Sequence, residues 1–165
     1  DVLSRYYEAA LKDRADLVIR VTSDCPLIDP CIIDSVVSFY INNQDKVDYV
    51  SNCLNRTYPR GMDVEVFSFS ILKEAYEEAT NDNEREHVTP FIISRPSRYH
   101  LHNIEHSTNL SHYRLTIDTS EDLDLVKKIF KELFFTNPEF KMKDILTVLE
   151  ANSEWLSINS HVKQR

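Results

Sequence analysis

Apolar side chains recur with two different periods in the first half of the chain, and these periods predict helices and strands in alternation. Residues 1–11 carry apolar side chains at the spacing of an amphipathic helix, and residues 16–22 form a short apolar run typical of a strand. A helix is predicted over 29–42, because Asp29 supplies an N-cap and a proline follows at the first helical position. Further short strands are predicted at 47–51 and 64–67.

The second half of the chain begins and ends with helical patterns and has strand-like alternation between them. The predicted helices are 70–79, 83–93 with an internal proline near its first turns, 120–135 and 143–151, and the predicted antiparallel strands are 99–105 and 113–117. Early alternation of strand and helix is typical of an α/β sheet with mostly parallel strands, and the later strand pair would make the sheet mixed. The predicted fold class is therefore α/β, a mixed, mostly parallel sheet flanked by helices, in one domain over 1–165.

Composition narrows the class of protein. The hydrophobic content of 42% and the eight Phe and eight Tyr residues favour a globular chain. The net charge is −8 and the basic residues form no stripe, which argues against a general nucleic-acid binder. There is no apolar run of membrane-spanning length and no signal segment, so a cytoplasmic location is expected. The three cysteines form no C-x-x-C pair and are interpreted as reduced thiols.

The chain contains a single glycine, Gly61. Loops that cradle phosphates need several glycines so that the backbone can approach the anion closely. The sequence therefore contains neither a P-loop nor a dinucleotide fingerprint. Any nucleotide must be held mainly by side chains and a metal, or by a segment outside this sequence.

Five segments, in order along the chain, resemble the spore-coat polysaccharide biosynthesis cytidylyltransferases (the SpsF group), which are relatives of the enzymes that make CMP-activated acidic sugars. The resemblance implies a Rossmann-like nucleotide-diphospho-sugar transferase fold and transfer of a nucleotide from CTP to a sugar with release of pyrophosphate. The segments are D-V-L-S-R-Y-Y at 1–7, R-V-T-S-D-C-P-L-I-D at 20–29, Y-P-R-G-M-D-V-E-V-F at 58–67, R-E-H-V-T-P-F at 85–91 and L-T-I-D-T-S-E-D-L at 115–123.

The family begins with a strand and a glycine-containing loop that wraps the nucleotide, and neither is present here. The low glycine count and the helical pattern that starts at the first residue agree with this difference. We therefore expect an N-terminally truncated nucleotidyltransferase domain that lacks the first strands and is inactive on its own.

Two acidic residues are the candidate catalytic metal ligands. Asp24 and Asp118 each follow an apolar strand-like run, and open α/β sheets bind ligands at the carboxyl ends of strands. Mg²⁺ takes oxygen ligands and often uses one or two carboxylates with phosphates and water. The resemblance implies that these two carboxylates bind Mg²⁺. The alternative is that each only caps the next helix; Asp29 is the better cap near Asp24, whereas both interpretations stay open for Asp118.

A second group of residues is expected to bind the substrates, CTP and a sugar that the family relationship suggests is acidic. Asp63 and Glu65 are two residues apart at the entrance of a strand, so both would face one side of the sheet, where they could bind sugar hydroxyls or act as a base; a solvent-exposed edge is the alternative. Arg60 could hold a carboxylate or phosphate through its fork of donors, or be a plain surface arginine.

The polar triplet Arg85, Glu86 and His87 completes the predicted site. Arg85 is a candidate phosphate ligand, and Glu86 or His87 a candidate contact for the sugar. Charge pairing on a helix surface explains the charges but does not require a histidine. The remaining histidines lack a recognised ligand spacing for zinc and are interpreted as surface residues.

Two alternative functions remain open. One is a glycosyltransferase of related fold, which would release a nucleoside diphosphate; the single acid of D-C-P, in place of a D-x-D pair, disfavours it. The other is a non-catalytic assembly module that pairs with another copy through an exposed strand at 17–22. The C-terminal helices offer a further surface for a homodimer.

Overall fold

The computed structural model describes residues 1–163, which fall into two compact units. The sheet unit comprises Asp1–Arg20, Ser35–Leu54 and Val64–Ile104, and the C-terminal unit comprises Val21–Asp34, Asn55–Asp63 and the residues from Glu105 onward. None of the helices in residues 1–163 is long and apolar enough to cross a membrane.

Short elements make up both units. The helices are α1 Val2–Asp13, α2 Pro30–Asn43, α3 Phe69–Glu78, α4 Asp82–His87, α5 Pro90–Ile93, α6 Ser120–Leu133 and α7 Met142–Ala151, followed by a 3₁₀ helix at Ser153–Ile158. The strands are β1 Leu17–Arg20, β2 Tyr49–Ser51, β3 Glu65–Ser68 and β4 Leu101–Asn103.

The four strands form one mixed sheet in the sheet unit, in the order β1-β3-β2-β4. The predicted α/β class with a mixed sheet is confirmed, but the expectation of mostly parallel strands is wrong. β3 runs antiparallel to both β1 and β2, and only β2 and β4 are parallel. The reason is that β2 and β3 are joined by a loop without a crossover helix, so the chain turns back beside β2. Hydrophobic periodicity identifies a strand but not its direction.

Two other expectations need correction. Residues 113–117 do not form a strand antiparallel to 99–105; they contribute one isolated parallel bridge, between Arg114 and Arg60. The predicted helix over 83–93 is broken into α4 and α5. Val88 has a φ of 71°, and the proline that was expected inside the helix stands at the first position of α5. Proline lacks the N–H that a continuous helix needs there, so a new helix starts instead.

The core of the sheet unit lies between the sheet and the helices α1, α3 and α5. Leu3, Tyr49, Phe67, Leu72 and Phe91 are almost completely buried there. Burial of large side chains at about 1.5–3 kcal/mol each is the main force that holds these elements together.

In the C-terminal unit, α6 and α7 bury apolar stripes against each other, and the buried carboxylate of Asp29 joins two helix starts. One oxygen of Asp29 accepts from the backbone N–H of Cys31 at 2.8 Å, and the other accepts from the N–H of Met142 at 2.9 Å. Asp29 thus caps α2, as predicted, and also α7, which the sequence pattern does not indicate.

Gly61 lies where the chain passes closest to the segment that carries Asp118. Its φ is 95°, and a Cβ placed there would lie 2.6 Å from the backbone carbonyl carbon of Leu115. On either side of it, the backbone of Arg60 bonds to Tyr113 and Leu115 at 3.0 and 2.8 Å. The single glycine is therefore required by close backbone packing rather than by contact with a phosphate.

We expect Gly61→Ala to lower the free energy of unfolding by about 2–4 kcal/mol, since it combines a positive φ with a clash against rigid backbone. Chemical denaturation measures this change. Ser107→Ala, at an exposed loop position, is the control and should change stability by less than about 0.5 kcal/mol. An alanine variant as stable as the wild type would contradict the close approach.

Candidate active site

Asp24 is joined directly to the segment that carries Asp118. The carbonyl of Asp24 accepts from the N–H of Ile117 at 2.8 Å. The hydroxyl of Thr116 lies 3.2 Å from both the carbonyl oxygen and a carboxylate oxygen of Asp24. Asp118 is the next residue after Ile117, so two carboxylates that are distant in sequence stand on adjacent segments of the C-terminal unit.

The carboxylate of Asp24 is half-buried and favours its charged form. Burial alone would raise the pKa of Asp24, but hydrogen bonds from Thr22, the backbone and Thr116 outweigh it and lower that pKa. Asp24 is therefore ionised at neutral pH, as a ligand for a hard cation must be.

Asp118 is exposed, and its carboxylate forms an ion pair with an arginine. One oxygen of Asp118 accepts from Nη2 of Arg114 at 2.6 Å. The side chain of Arg114 is only 9% exposed, whereas that of Asp118 is 36% exposed. Arg114 thus fixes the direction of Asp118 from the buried side and leaves its other face open to solvent.

A buried carboxylate, Asp122, holds Arg114 in turn. Nε and Nη2 of Arg114 donate to the two oxygens of Asp122, each at 2.8 Å, and Nδ2 of Asn159 donates to Asp122 at 2.8 Å. The backbone N–H groups of Asp118 and Thr119 also donate to Asp122, at 3.0 and 3.2 Å. Asp122 therefore orients both the backbone and, through Arg114, the side chain of Asp118.

Asp122 remains ionised although its side chain is fully buried. Burial alone would raise its pKa, but the hydrogen bonds from Arg114, Asn159 and the backbone of Asp118 lower the pKa of Asp122 to about 2. A charged group with this many donors is costly to protonate or remove.

Asp63 lies in the same unit and is paired. Arg56 donates from both terminal nitrogens to the two oxygens of Asp63, and the Nη2–Oδ2 distance is 2.7 Å. The nearby Cys25 is buried, and this burial raises the pKa of its thiol to about 11. Cys25 is thus a neutral packing residue at physiological pH, consistent with its interpretation from sequence.

Arg60 lines a cavity of about 340 Å³ together with Ser111, His112, Arg114, Asn159 and Ser160. Burial, and then the positive charges of Arg56 and Arg114, lower the pKa of Arg60, while Asp63 opposes them. The cavity is therefore positively charged on the side of Arg60.

Two of the predicted substrate ligands in the sheet unit, Glu65 and Arg85, are bonded to protein groups. Glu65 is buried and does not face an open pocket: Arg20 donates to one of its oxygens, and the hydroxyl of Tyr49 donates to the other at 2.5 Å. Arg85 donates to Asp1, to the hydroxyl of Ser4 at 2.8 Å and to the carbonyl of Tyr76 at 2.9 Å. Both side chains are engaged in holding the unit together, which a local sequence pattern does not distinguish from ligand binding.

Glu86 and His87 are exposed near the end of the short helix α4. Their neighbour Glu84, which the sequence analysis did not single out, is buried and accepts from Arg95 at 2.7 Å. Within the triplet, Arg85 is bonded to protein groups and the other two residues are exposed, and the predicted ligand contacts of all three remain predictions.

Asp24 and Asp118 carry carboxylate oxygens, the type of ligand that Mg²⁺ prefers. Within residues 1–163 there is no group of three or more His, Cys, Asp or Glu side chains that could hold a metal ion. Mg²⁺ commonly binds through only one or two carboxylates together with phosphates and water, so two carboxylates are sufficient. Asp118 uses one oxygen for Arg114, and its side chain is still partly open to solvent.

Sequence reasoning missed the residues behind the carboxylates, namely Thr116, Arg114, Asp122 and Asn159. A partial signal was present, because Thr119 and Asp122 have the spacing of a capping box, which the helix start confirms. That box does not reveal the bonds of Asp122 to Arg114 and Asn159, since these depend on tertiary contacts.

Comparisons with known proteins define the class to which this fold and site belong. The model of the cytidylyltransferase family matches residues 1–152, and the chain belongs to that family. It is similar in structure to a cytidylyltransferase from Leptospira borgpetersenii, with a TM-score of 0.90 and 33% identity, covering 100% of this chain and 67% of the other. This likeness agrees with the α/β fold.

Two relatives are similar in sequence. One is the uncharacterized protein MJ1063 of Methanocaldococcus jannaschii, 34% identical over 167 residues, covering 100% of this chain and 66% of the relative. The other is the spore coat polysaccharide biosynthesis protein SpsF of Bacillus subtilis, 27% identical over 156 residues, covering 93% of this chain and 62% of the relative. The chain thus spans about two thirds of the length of these relatives.

The lowered pKa of Asp122 gives a pH prediction. Its pKa falls from the ordinary 3.8 to about 2 on folding, so its stabilising contribution is complete above about pH 4 and is lost as the pH falls towards 2. Asp122→Asn should lower the free energy of unfolding by about 3 kcal/mol at pH 7, because Arg114 loses its buried partner. The difference from wild type should shrink between pH 4 and pH 2.

Urea denaturation at several pH values measures this difference. Asp124→Asn, which removes an exposed carboxylate from the same helix, serves as the matched control and should have little effect at any pH. A difference for Asp122→Asn that is constant down to pH 2 would show that the charge of Asp122 does not stabilise the fold.

Proposed function

We propose that the whole protein transfers a cytidylyl group from CTP to a sugar hydroxyl and releases pyrophosphate. The observation that carries this proposal is the joining of Asp24 to the segment that precedes Asp118, through Thr116 and Ile117, in a chain of the cytidylyltransferase family. The name of the Bacillus subtilis relative supports a role in the synthesis of a surface polysaccharide.

Asp24 and Asp118 would hold a Mg²⁺ ion, which, when bound, supplies positive charge to the phosphates. Asp24 provides an ionised carboxylate through its bonds to Thr116 and the backbone. Asp118 is kept in place by Arg114 and by the backbone bonds of Asp122. Catalysis by this chain is then largely positioning and electrostatic stabilisation of the phosphates.

The proposed reaction is an in-line displacement at the α-phosphorus of CTP. A bond forms between the sugar oxygen and the α-phosphorus, the bond from that phosphorus to the β-phosphate oxygen breaks, and the hydroxyl proton passes to a base or to water. The products are a CMP-sugar and pyrophosphate. Asp63, Glu86 and His87 remain proposed contacts for the sugar.

Asp24→Asn should lower pyrophosphate release from CTP by at least about 100-fold in the whole protein, because it removes one of two charged ligands. It should also weaken Mn²⁺ binding, measured by electron paramagnetic resonance, in the 165-residue chain itself. Asp34→Asn, an exposed carboxylate at the start of α2, is the matched control and should change neither measurement.

Full turnover by the Asp24→Asn protein would refute the assignment of Asp24 as a metal ligand. Product analysis tests the reaction type, because release of a nucleoside diphosphate from a nucleotide-sugar would favour a glycosyltransferase over the proposed cytidylyltransferase.

A second candidate function, self-assembly, is favoured by the free edge of β1. Within residues 1–163, β1 pairs only with β3, and Ile19 on it is 43% exposed. Beside it, α1 and β1 line a mainly apolar groove of about 540 Å³. An open strand edge next to apolar surface favours pairing with another strand, and a second copy of the chain is the proposed partner.

If this edge mediates assembly, the chain should form dimers or larger species in light scattering at high concentration, and Ile19→Lys should shift it to monomer, since a charge on an edge strand opposes pairing. Ile41→Lys, at a position that is 52% exposed on α2, is the control and should leave the assembly unchanged. A wild-type chain that is monomeric throughout would contradict self-assembly.

A further inference from the structure

Arg56 and Arg114 both lie within electrostatic range of Arg60 in the C-terminal unit, and the charges of these three arginines are compensated differently. Arg56 is paired with Asp63, and Arg114 is paired with Asp118 and Asp122. The guanidinium of Arg60 makes no hydrogen bond or ion pair within residues 1–163. Arg60 therefore contributes a positive charge to which no carboxylate of the described residues is bonded, and Asp63 offsets it only through space.

The backbone of Arg60 is held firmly. Its N–H donates to Tyr113 and its carbonyl accepts from Leu115, immediately before the close contact at Gly61. The fixed backbone sets the point from which the side chain of Arg60 extends, so only the side chain has to be ordered when an anion binds.

The cavity beside Arg60 has suitable chemistry for an anionic group. Ser111, His112 and Ser160 provide polar groups, and Leu156 and Val162 provide an apolar wall. A volume of about 340 Å³ is at the lower end of ligand pockets, which span about 300–1,000 Å³, and suits a phosphate chain or one sugar ring rather than a whole nucleotide-sugar.

We propose that Arg60 and this cavity form an anion-binding subsite, for a phosphate or carboxylate group of a substrate, in which Arg60 is the binding cation. The proposal rests on the proposed function for the identity of the substrate, but the binding of an anion can be tested without turnover. Arg60 also opposes the binding of a bare divalent cation, because like charges repel each other. Its effects on an anion and on a metal ion therefore have opposite signs.

The test uses the 165-residue chain, with inorganic phosphate and tripolyphosphate as probes in calorimetry and Mn²⁺ as the metal probe in electron paramagnetic resonance. Arg60→Gln should weaken binding of both anions by at least about tenfold, since a charge-assisted hydrogen bond is lost. Mn²⁺ without an anion should bind as tightly as in wild type or a few-fold more tightly. Arg60→Lys should retain part of the anion affinity, because it keeps the charge but not the fork.

Lys143→Gln removes one exposed positive charge from α7 in the same unit and is the matched control, with no expected change in either measurement. Unchanged phosphate affinity in Arg60→Gln would overturn the proposal. So would a parallel loss of phosphate and Mn²⁺ binding, because that pattern indicates general disruption of the unit.

Saturation of the whole protein with CTP and Mn²⁺ distinguishes the two sources of the anion. If phosphate no longer binds, the subsite takes a phosphate of the nucleotide; if phosphate still binds in an Arg60-dependent way, the subsite takes the anionic group of the acceptor. Failure of the proposed function gives a different result: no pyrophosphate is released from CTP with any acceptor, while phosphate binding still depends on Arg60.

Discussion

The C-terminal unit depends on one buried negative charge, that of Asp122. Removing a carboxylate from water is expensive, and it is tolerated only where donors surround it. Asp122 has five such bonds, from Arg114, Asn159 and the backbone at the start of α6. The same bonds fix the segment that carries Asp118. The donors that make burial of the Asp122 charge possible therefore also set the geometry of the candidate site.

In the C-terminal unit, some charged side chains are paired with a side chain of opposite charge and others are not. Asp63 and Asp118 each lie against an arginine, whereas Asp24 is stabilised by neutral donors and Arg60 has no carboxylate bonded to it. Among these four side chains, Asp24 and Arg60 are thus the two with no group of opposite charge from the described residues bonded to them. A metal–phosphate complex carries both signs, which is why these two side chains enter the proposals for metal and anion binding.

The sequence predicted most helices and the four strands because their apolar periods are strong, and it predicted Asp29 as a cap from its position before a proline. It did not predict strand direction, since a period of two residues is the same in parallel and antiparallel strands. It also assigned Glu65 and Arg85 to ligand binding, although both are satisfied by protein groups. Residue type and spacing identify which side chains can do chemistry, but only tertiary structure shows which of them are already occupied.

The bond between Thr116 and Asp24 spans 92 residues of sequence, and Asn159 closes on Asp122 from 37 residues further along the chain than that carboxylate. Contacts between such distant segments form slowly, because a long loop must close before any bond is gained. Because a ribosome makes the chain from its amino end, Asp24 is synthesised 92 residues before its partner Thr116. Until Thr116 is made, the carboxylate of Asp24 stays hydrated, and the two segments that carry the proposed metal ligands are not yet joined.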